Sequence, residues 1–554
     1  MLPIRPKQTA CTYTRDGVRL DADVYRPDVK GDFPVLLMRQ PYGRNIASTI
    51  VYAHPSWYAA QGYIVVIQDV RGRGTSEGEF KLFAHEIADG EDSVNWAAKL
   101  PGSNGNVGMY GFSYQGMTQL YAAAAKPDPL KAICPAMIGY DLYTDWAYEG
   151  DAFCLQTNLA WALQLAAETA RLQQKEKAYQ ALSAAAQNLP LGDGTPNYPE
   201  ILQKYAPDSY YHDWINNPQP DTQKSDYWQQ LSPKTHLQNV DLPMFHIGGW
   251  FDTYLRGTLN LYQDMISRSQ HRQQLLVAPW AHIPWGRKVG TVDFGVNAIS
   301  PIDKMQISWF DQFLKGENTG LLDLPSVWLF KMGSNIWHNY PTIPIAFQKS
   351  YFLSSTGLAG ICEDSGSLID NLDSIPDSIS NNISDILVHD PWRPVPSLGG
   401  HAGIPAGMCD RSHIDVRSDV LTYTSEKLDK DLHLTGNVIV EISCYADKIS
   451  FDLSAILSEV HSNGAVYNIT QGYRSFRDGM NQSTRQIELQ STCVRIAQGN
   501  ALRLSLSAAC FPAYAMNAGT GEEISFLKLI NSEIITITIN CRDSKILLPV
   551  VADT

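Results

Sequence analysis

An α/β fold joined to an all-β domain is predicted for this 554-residue chain by three observations. Short, near-continuous apolar runs alternate with helical stretches over residues 18–138 and again over 242–280. A stretch rich in Ala, Gln, Glu and Leu interrupts that alternation. The last third carries strand-like runs with no convincing helix between them. A chain of this length exceeds what one hydrophobic core supports, so two or three domains are expected.

The elements follow in order. VRLDADVYRP (18–27) alternates apolar and polar residues after an Asp16-Gly17 turn and reads as half a hairpin. PVLLM (34–38), YIVVIQDV (63–70), VGMYGF (107–112) and LKAICPAMI (130–138) are apolar almost throughout, as parallel strands covered on both faces are. HEIADGEDSVNWAAKL (85–100), with Ile87, Val94 and Ala98 on one face, is a helix between two of them. The pattern resumes with LPMFHIGGWF (242–251) and QLLVAPW (274–280), separated by the helical YLRGTLNLYQDMISR (254–268). Residues 153–189 are rich in good helix formers, with Leu155, Leu159 and Leu163 at i, i+4 and i+8, and predict a helical insertion over the sheet. Gly, Ser, Asp and Pro dominate 354–411, which reads as long loops. VLTYTSE (420–426), NVIVEISCYA (437–446), ALRLSLSAAC (501–510), EIITITINC (533–541) and KILLPVV (545–551) then predict a sandwich or jelly roll. The expected division is a discontinuous core, 1–139 and 237–345, a helical cap inserted at 140–236, and a β-sandwich at 346–554.

Composition excludes several classes of function. Hydrophobic residues at 44% and charged residues at 18% describe a soluble globular protein. A net charge of −14 argues against nucleic-acid partners and anionic membranes. The N-terminus MLPIRPKQTACTYTRDG lacks the apolar core of a signal peptide, and no run approaches the roughly 18 apolar residues of a membrane span. Nine scattered cysteines without a CxxC pair read as reduced thiols, which suits a cytoplasmic location. No HExxH, Cys/His ligand spacing or Walker-type lysine loop occurs, so no metal and no cofactor is expected.

GFSYQG (111–116) follows one apolar run and precedes an alanine-rich helical stretch. A serine between glycines at such a junction reads as the nucleophile elbow of an α/β-hydrolase, where a strained turn lifts the hydroxyl out of the sheet and the helix N-terminus favours developing negative charge. A second serine between glycines, Gly74-Thr75-Ser76-Glu77-Gly78, lies beyond its strand and is followed by EGEFKLF rather than a small-residue helix, so Ser76 reads as a loop residue. A serine hydroxyl needs a base, and the base needs an orienting carboxylate. In this fold the chain order is Ser, then acid, then His, each after a strand. Asp252 follows LPMFHIGGWF and His282 follows QLLVAPW, in that order. Alone, an aspartate there would be a helix cap and a histidine a surface or core residue; the joint placement favours Ser113, Asp252 and His282 as a catalytic set. His246, inside its strand, points into the sheet layer.

The chain resembles the cocaine esterase / Xaa-Pro dipeptidyl-peptidase family of serine hydrolases, also called the CocE/NonD group, along almost its whole length. The marks are Arg39-Gln40-Pro41-Tyr42-Gly43, QDVRGRGTSEG (68–78), GFSYQG, GGWFD ending in Asp252, APWAH ending in His282, and, further on, DVLTYTSEKLDKDLHLTG (419–436) and SFDLSAILSEVHSNG (450–464). The resemblance implies an α/β-hydrolase core with an inserted helical cap and a C-terminal jelly roll. It makes Ser113 the nucleophile, His282 the base and Asp252 its acid. It assigns the oxyanion site to the Tyr42 hydroxyl and the Tyr114 N–H, although Pro-Tyr-Gly after a strand is otherwise a turn with a packed ring. It puts Trp146, Trp161 and Tyr254 in the substrate pocket, where tryptophans could equally be packing. Relatives acting on α-amino acid esters hold the substrate amine with carboxylates; Asp145, Glu149 and Asp151 read instead as a solvated acidic face. Long Xaa-Pro dipeptidyl-peptidases carry an extra N-terminal domain, whereas this chain starts at the first core strands, so an acyl ester or amide hydrolase of the short branch is expected. Its partners are then small acyl esters, amides or short peptides, with homo-oligomerisation left open. Dipeptidyl-peptidase or α-amino acid ester hydrolase activity is the enzymatic alternative, and a carbohydrate-binding jelly roll on an inactive scaffold the non-enzymatic one.

Overall fold

Seven parallel strands form the heart of the computed structural model, which describes residues 1–45, 49–192, 195, 197–218, 226–371 and 383–552. The whole sheet has ten strands: β1 (Gln8–Tyr13), β2 (Arg19–Tyr25), β3 (Phe33–Gln40), β4 (Ile64–Asp69), β5 (Ser103–Phe112), β6 (Leu130–Ala136), β7 (Met244–Phe251), β8 (Gln273–Ala281), β9 (Val327–Lys331) and β10 (Ile336–Tyr340). They run in the order β1-β2-β4-β3-β5-β6-β7-β8-β9-β10. Antiparallel pairing at β1/β2, β2/β4 and β9/β10 flanks the parallel strands. Every residue of β7 and β8 is buried, because helices cover both faces of a sheet built by crossover connections. The helices that matter for the site are α1 (Glu86–Ala97), α2 (Tyr114–Ala124) and α5 (Leu255–Arg268). The insertion contributes α3 (Leu155–Leu172) and α4 (Glu176–Gln187), which break at Gln174 in the left-handed region (φ 57°).

A twelve-stranded antiparallel-rich sheet builds the C-terminal domain. Its hub is the 16-residue strand Ile535–Val550, which pairs with Phe347–Ser355, Ser384–His389, Leu432–Gly436 and Ile439–Ala446. The runs 533–541 and 545–551, two strands by sequence, are thus one. Residues 354–411, read as loops, contain the short strands Gly366–Ile369 and Ser384–His389; Ser and Asp at their edges mask the alternation. Part of that stretch, 372–382, lies outside the described residues. β9 and β10 are also invisible to the sequence reading, each being only five residues long. No helix among the described residues is long and apolar enough to cross a membrane, and all nine cysteines are free.

The β domain is packed onto the core rather than tethered to it. One continuous apolar cluster joins Trp250, Phe251, Leu275 and Phe330 of the core to Leu421, Leu434, Ile442 and Leu504 of the β domain. Backbone bonds cross the boundary: Met332 N–H donates to Cys493 O (3.0 Å) and Arg495 N–H to Met332 O (2.8 Å). The cap hairpin 148–153 is held likewise, Ser475 N–H donating to Gly150 O (2.8 Å) and Ala515 N–H to Phe153 O (2.9 Å). Deleting residues 346–554 is therefore expected to expose apolar surface and yield insoluble or inactive protein. Soluble yield and hydrophobic-dye binding check this; a soluble, fully active truncation would count against docking.

Candidate active site

Ser113 links β5 to α2 with φ 58° and ψ −128°, a conformation that costs a non-glycine residue about 1–3 kcal/mol. Glycines make room for it. A Cβ on Gly111 would lie 2.4 Å from Gln115 Cβ, and one on Gly116 would lie 2.4 Å from Ile138 Cγ2. The first glycine of this elbow, Gly111, stands two residues before the serine. The second stands three after, at Gly116, and Gln115 occupies the nearer place. Ser76 is bound into its loop, donating to Asp69 O (2.8 Å) and accepting from the Asp21 N–H (2.9 Å).

Tyr114 opens α2, so its N–H has no acceptor within the helix. Its phenol points away, donating to Glu86 Oε1 (2.9 Å), and Glu86 in turn pairs with buried Arg39 (2.6 Å). Phe83 stacks on its ring at 4.9 Å. Tyr42 follows β3 on the loop over the same elbow. Burial pushes its phenol up to about 12, against the pull of the neighbouring Trp161 indole and Ser113 hydroxyl. It therefore stays protonated at neutral pH and can donate.

Asp252 directly follows β7 and is fully buried. Its Oδ1 lies 2.8 Å from His282 Nδ1, at the end of the adjacent strand β8. β7 and β8 approach closely because residue 249 is glycine: a Cβ there would lie 2.3 Å from Trp280 O. Phe112 and Tyr254 flank the imidazole at ring distances of 5.4 and 5.0 Å. With Nδ1 on the carboxylate, Nε2 is the nitrogen left for proton exchange. His246 is buried in β7 against Gln273 Oε1 (2.9 Å), and burial lowers it to about 4, which holds it neutral.

One cleft of about 1090 Å³ gathers Ser113, His282, Tyr42, Tyr114, Trp146, Trp161 and Tyr254; Asp252 stands behind the histidine. The tryptophans serve packing as well as lining. Trp161 stacks on Trp214 at 5.6 Å and meets Trp146 edge-on at 5.6 Å. A wall that the sequence reading misses comes from the β domain, where His401, Gly403, Ile404, Pro405 and Ala406 close one side. Only the glycine-dense run 399–407 hinted at close packing there.

The expected acidic face needs correction. Only Asp151 is exposed. Asp145 is buried and accepts from the Asp141 N–H (2.8 Å) and Asn260 Nδ2 (3.1 Å). Glu149 Oε2 meets His401 Nε2 (2.8 Å), the Tyr514 hydroxyl (2.6 Å) and Arg256 (3.1 Å). Burial works to raise Glu149, but Arg256 and His401 outweigh it and hold the carboxyl at about 2. Neither buried carboxylate lines the cleft.

Family models match two stretches of the chain: X-Pro dipeptidyl-peptidase (S15 family) over residues 16–284, and the X-Pro dipeptidyl-peptidase C-terminal non-catalytic domain over 319–537. The chain is 30% identical over 550 residues to the cocaine esterase of Rhodococcus sp. (strain MB1 Bresler), covering 92% of each. Two solved structures share the fold. One is an aminopeptidase from a marine sediment archaeon, Thaumarchaeota archaeon (TM-score 0.81, 20% identity, 99% of this chain and 96% of that one). The other is an α-amino acid ester hydrolase (TM-score 0.79, 20% identity, 99% and 97%). Identity at that level along nine-tenths of both chains reflects common descent and not fold alone: the chain belongs to the cocaine esterase / X-Pro dipeptidyl-peptidase (CocE/NonD) family and is a serine hydrolase of carboxylic ester or amide bonds.

Proposed function

We propose that Ser113 is the acyl-accepting nucleophile of an esterase or acylase acting on small apolar acyl groups. Ser113 Oγ adds to the substrate carbonyl carbon while His282 Nε2 takes its proton. The carbonyl oxygen, now negative, is held by the Tyr42 hydroxyl and the Tyr114 N–H. His282 returns the proton to the leaving alcohol or amine, leaving an acyl-serine; water, deprotonated by the same histidine, then releases the acid. Asp252 orients the imidazole and stabilises its charged form. The observation that carries this reading is the Asp252–His282 pair at 2.8 Å, facing the cleft that the strained Ser113 also enters.

Aromatic lining favours an apolar acyl group over a charged amine. None of the three cap carboxylates Asp145, Glu149 and Asp151 lines the cleft: Asp145 and Glu149 are buried with partners of their own and Asp151 is exposed outside it, while Glu168, the acid that does line it, is paired with Arg171 (2.8 Å). Trp161→Ala is expected to raise KM for benzoyl-type esters up to about tenfold, with acetyl esters nearly unaffected, because an aromatic acyl group loses a facing ring. Equal effects on both would mean general destabilisation. The assignment itself is tested by fluorophosphonate labelling together with turnover of p-nitrophenyl esters, β-lactam amides and Xaa-Pro anilides. Failure to label, or turnover of Xaa-Pro anilides alone, would overturn it.

A further inference from the structure

The acid loop is held by a side chain from the β domain. Gln490 lies between the strands Ser483–Glu488 and Thr492–Ile496 and is buried at 4% exposure. Its Nε2 donates to the carbonyls of Trp250 (3.0 Å) and Asp252 (3.1 Å), which bracket Phe251 at the end of β7. Two carbonyls can only accept, so the amide must face them with its nitrogen, and both of its protons are used. Gln490 is itself fixed at both backbone groups: its N–H donates to Gln471 O (3.0 Å), and its carbonyl accepts from the Thr470 hydroxyl (2.5 Å).

Two backbone bonds also hold Asp252 in its turn, its N–H donating to Gly249 O (3.0 Å) and its carbonyl accepting from the Leu255 N–H (3.2 Å). Its Oδ1 serves His282, and its buried Oδ2 has no hydrogen-bond partner among the described residues. The carboxylate's aim is therefore set by the backbone that carries it. We infer that Gln490 is a positioning residue for the serine hydrolase reaction, clamping the two carbonyls around Phe251 so that Asp252 points at His282 and making the acid's geometry depend on the docked β domain. The inference rests on the reading of Asp252 and His282 proposed above. A loosened acid loop weakens the support a carboxylate gives the charged imidazole, which strengthens as the transition state forms. The effect therefore falls on kcat and not on substrate binding.

Gln490→Met preserves length and apolar bulk and removes both donors. With a p-nitrophenyl ester, kcat is expected to fall about tenfold with KM within twofold, and the acid limb of the kcat/KM profile to move to lower pH. If that variant gives too little folded protein, Gln490→Asn, one methylene too short to reach, is read in the same way. Asn197→Ala removes a different buried amide at a β-domain contact, where Nδ2 meets Met516 O at 3.4 Å and Ile524 O at 3.3 Å. It is expected to lower Tm and leave the acid limb in place. Wild-type kcat with an unmoved limb in the Gln490 variants, or an equal limb shift in Asn197→Ala, overturns the positioning role. Ser113→Ala is assayed alongside: full turnover in that variant would sink the underlying reading instead, so the two failures are distinguishable.

Discussion

Ser113→Ala is expected to lower kcat by roughly 10⁶-fold, to abolish fluorophosphonate labelling and to leave the fold intact. The loss is expected to be large because, on the proposed mechanism, the hydroxyl is the attacking atom, and a neighbouring water lacks both its position and its activated base. A residue of catalysis over the uncatalysed reaction, about 10³–10⁴-fold, should survive from substrate binding and the oxyanion donors. Melting temperature should hold or rise, since alanine removes a polar group from a strained turn without filling space. The control is Ser76→Ala. Its hydroxyl bridges Asp69 O and the Asp21 N–H, so its removal costs stability and not chemistry. Loss of labelling in Ser76→Ala with retention in Ser113→Ala would reverse the assignment.

Tyr42→Phe is expected to cost about 2.7–4 kcal/mol of transition-state stabilisation, or roughly 10²–10³ in kcat. The phenol differs from the Tyr114 N–H in that mutation can delete it without disturbing the chain. Its hydrogen bond strengthens as the carbonyl oxygen gains charge, so KM should change little. Burial pushes the phenol up to about 12, so donation should persist to high pH, and the mutational defect should be flat across the neutral range. Labelling should slow but continue, in contrast with Ser113→Ala. Wild-type kcat in Tyr42→Phe, with acylation rate-limiting, would leave Tyr42 as a packed loop residue.

What could be read from sequence shares one property: it is local. The core strands are apolar over five or more consecutive residues, and Ser113, Asp252 and His282 each sit just past one of them, so pattern and punctuation sufficed to propose them. Tyr42 needed the family resemblance, because Pro-Tyr-Gly by itself says only turn. Glu149 was misread as solvated because its partners Arg256, His401 and Tyr514 lie far along the chain, and nothing within its own hairpin announces them. Gln490 and the wall His401–Ala406 were invisible for the same reason. β9, β10 and Ser384–His389 were lost to shortness, a few residues being too few to establish a period of two.

The meeting of Glu149 with residues 256, 401 and 514 has a consequence for how this protein comes off the ribosome. Every residue of the Ser113–Asp252–His282 set is synthesised before position 300. At about 5–20 residues per second, Tyr514 follows His282 by roughly ten to fifty seconds. Through the first half of that interval a nascent chain lacks both His401 and Tyr514 as partners for Glu149 and lacks the His401–Ala406 wall of the cleft; through the second half Tyr514 is still missing. Burying the carboxylate without those partners is unfavourable, so the hairpin that carries it is expected to stay hydrated until they arrive. Hydrolytic competence is thus expected to arrive with the C-terminal strands: a chain ended before residue 514 should carry Ser113, Asp252 and His282 yet turn over little p-nitrophenyl ester, which assay of such a truncation checks.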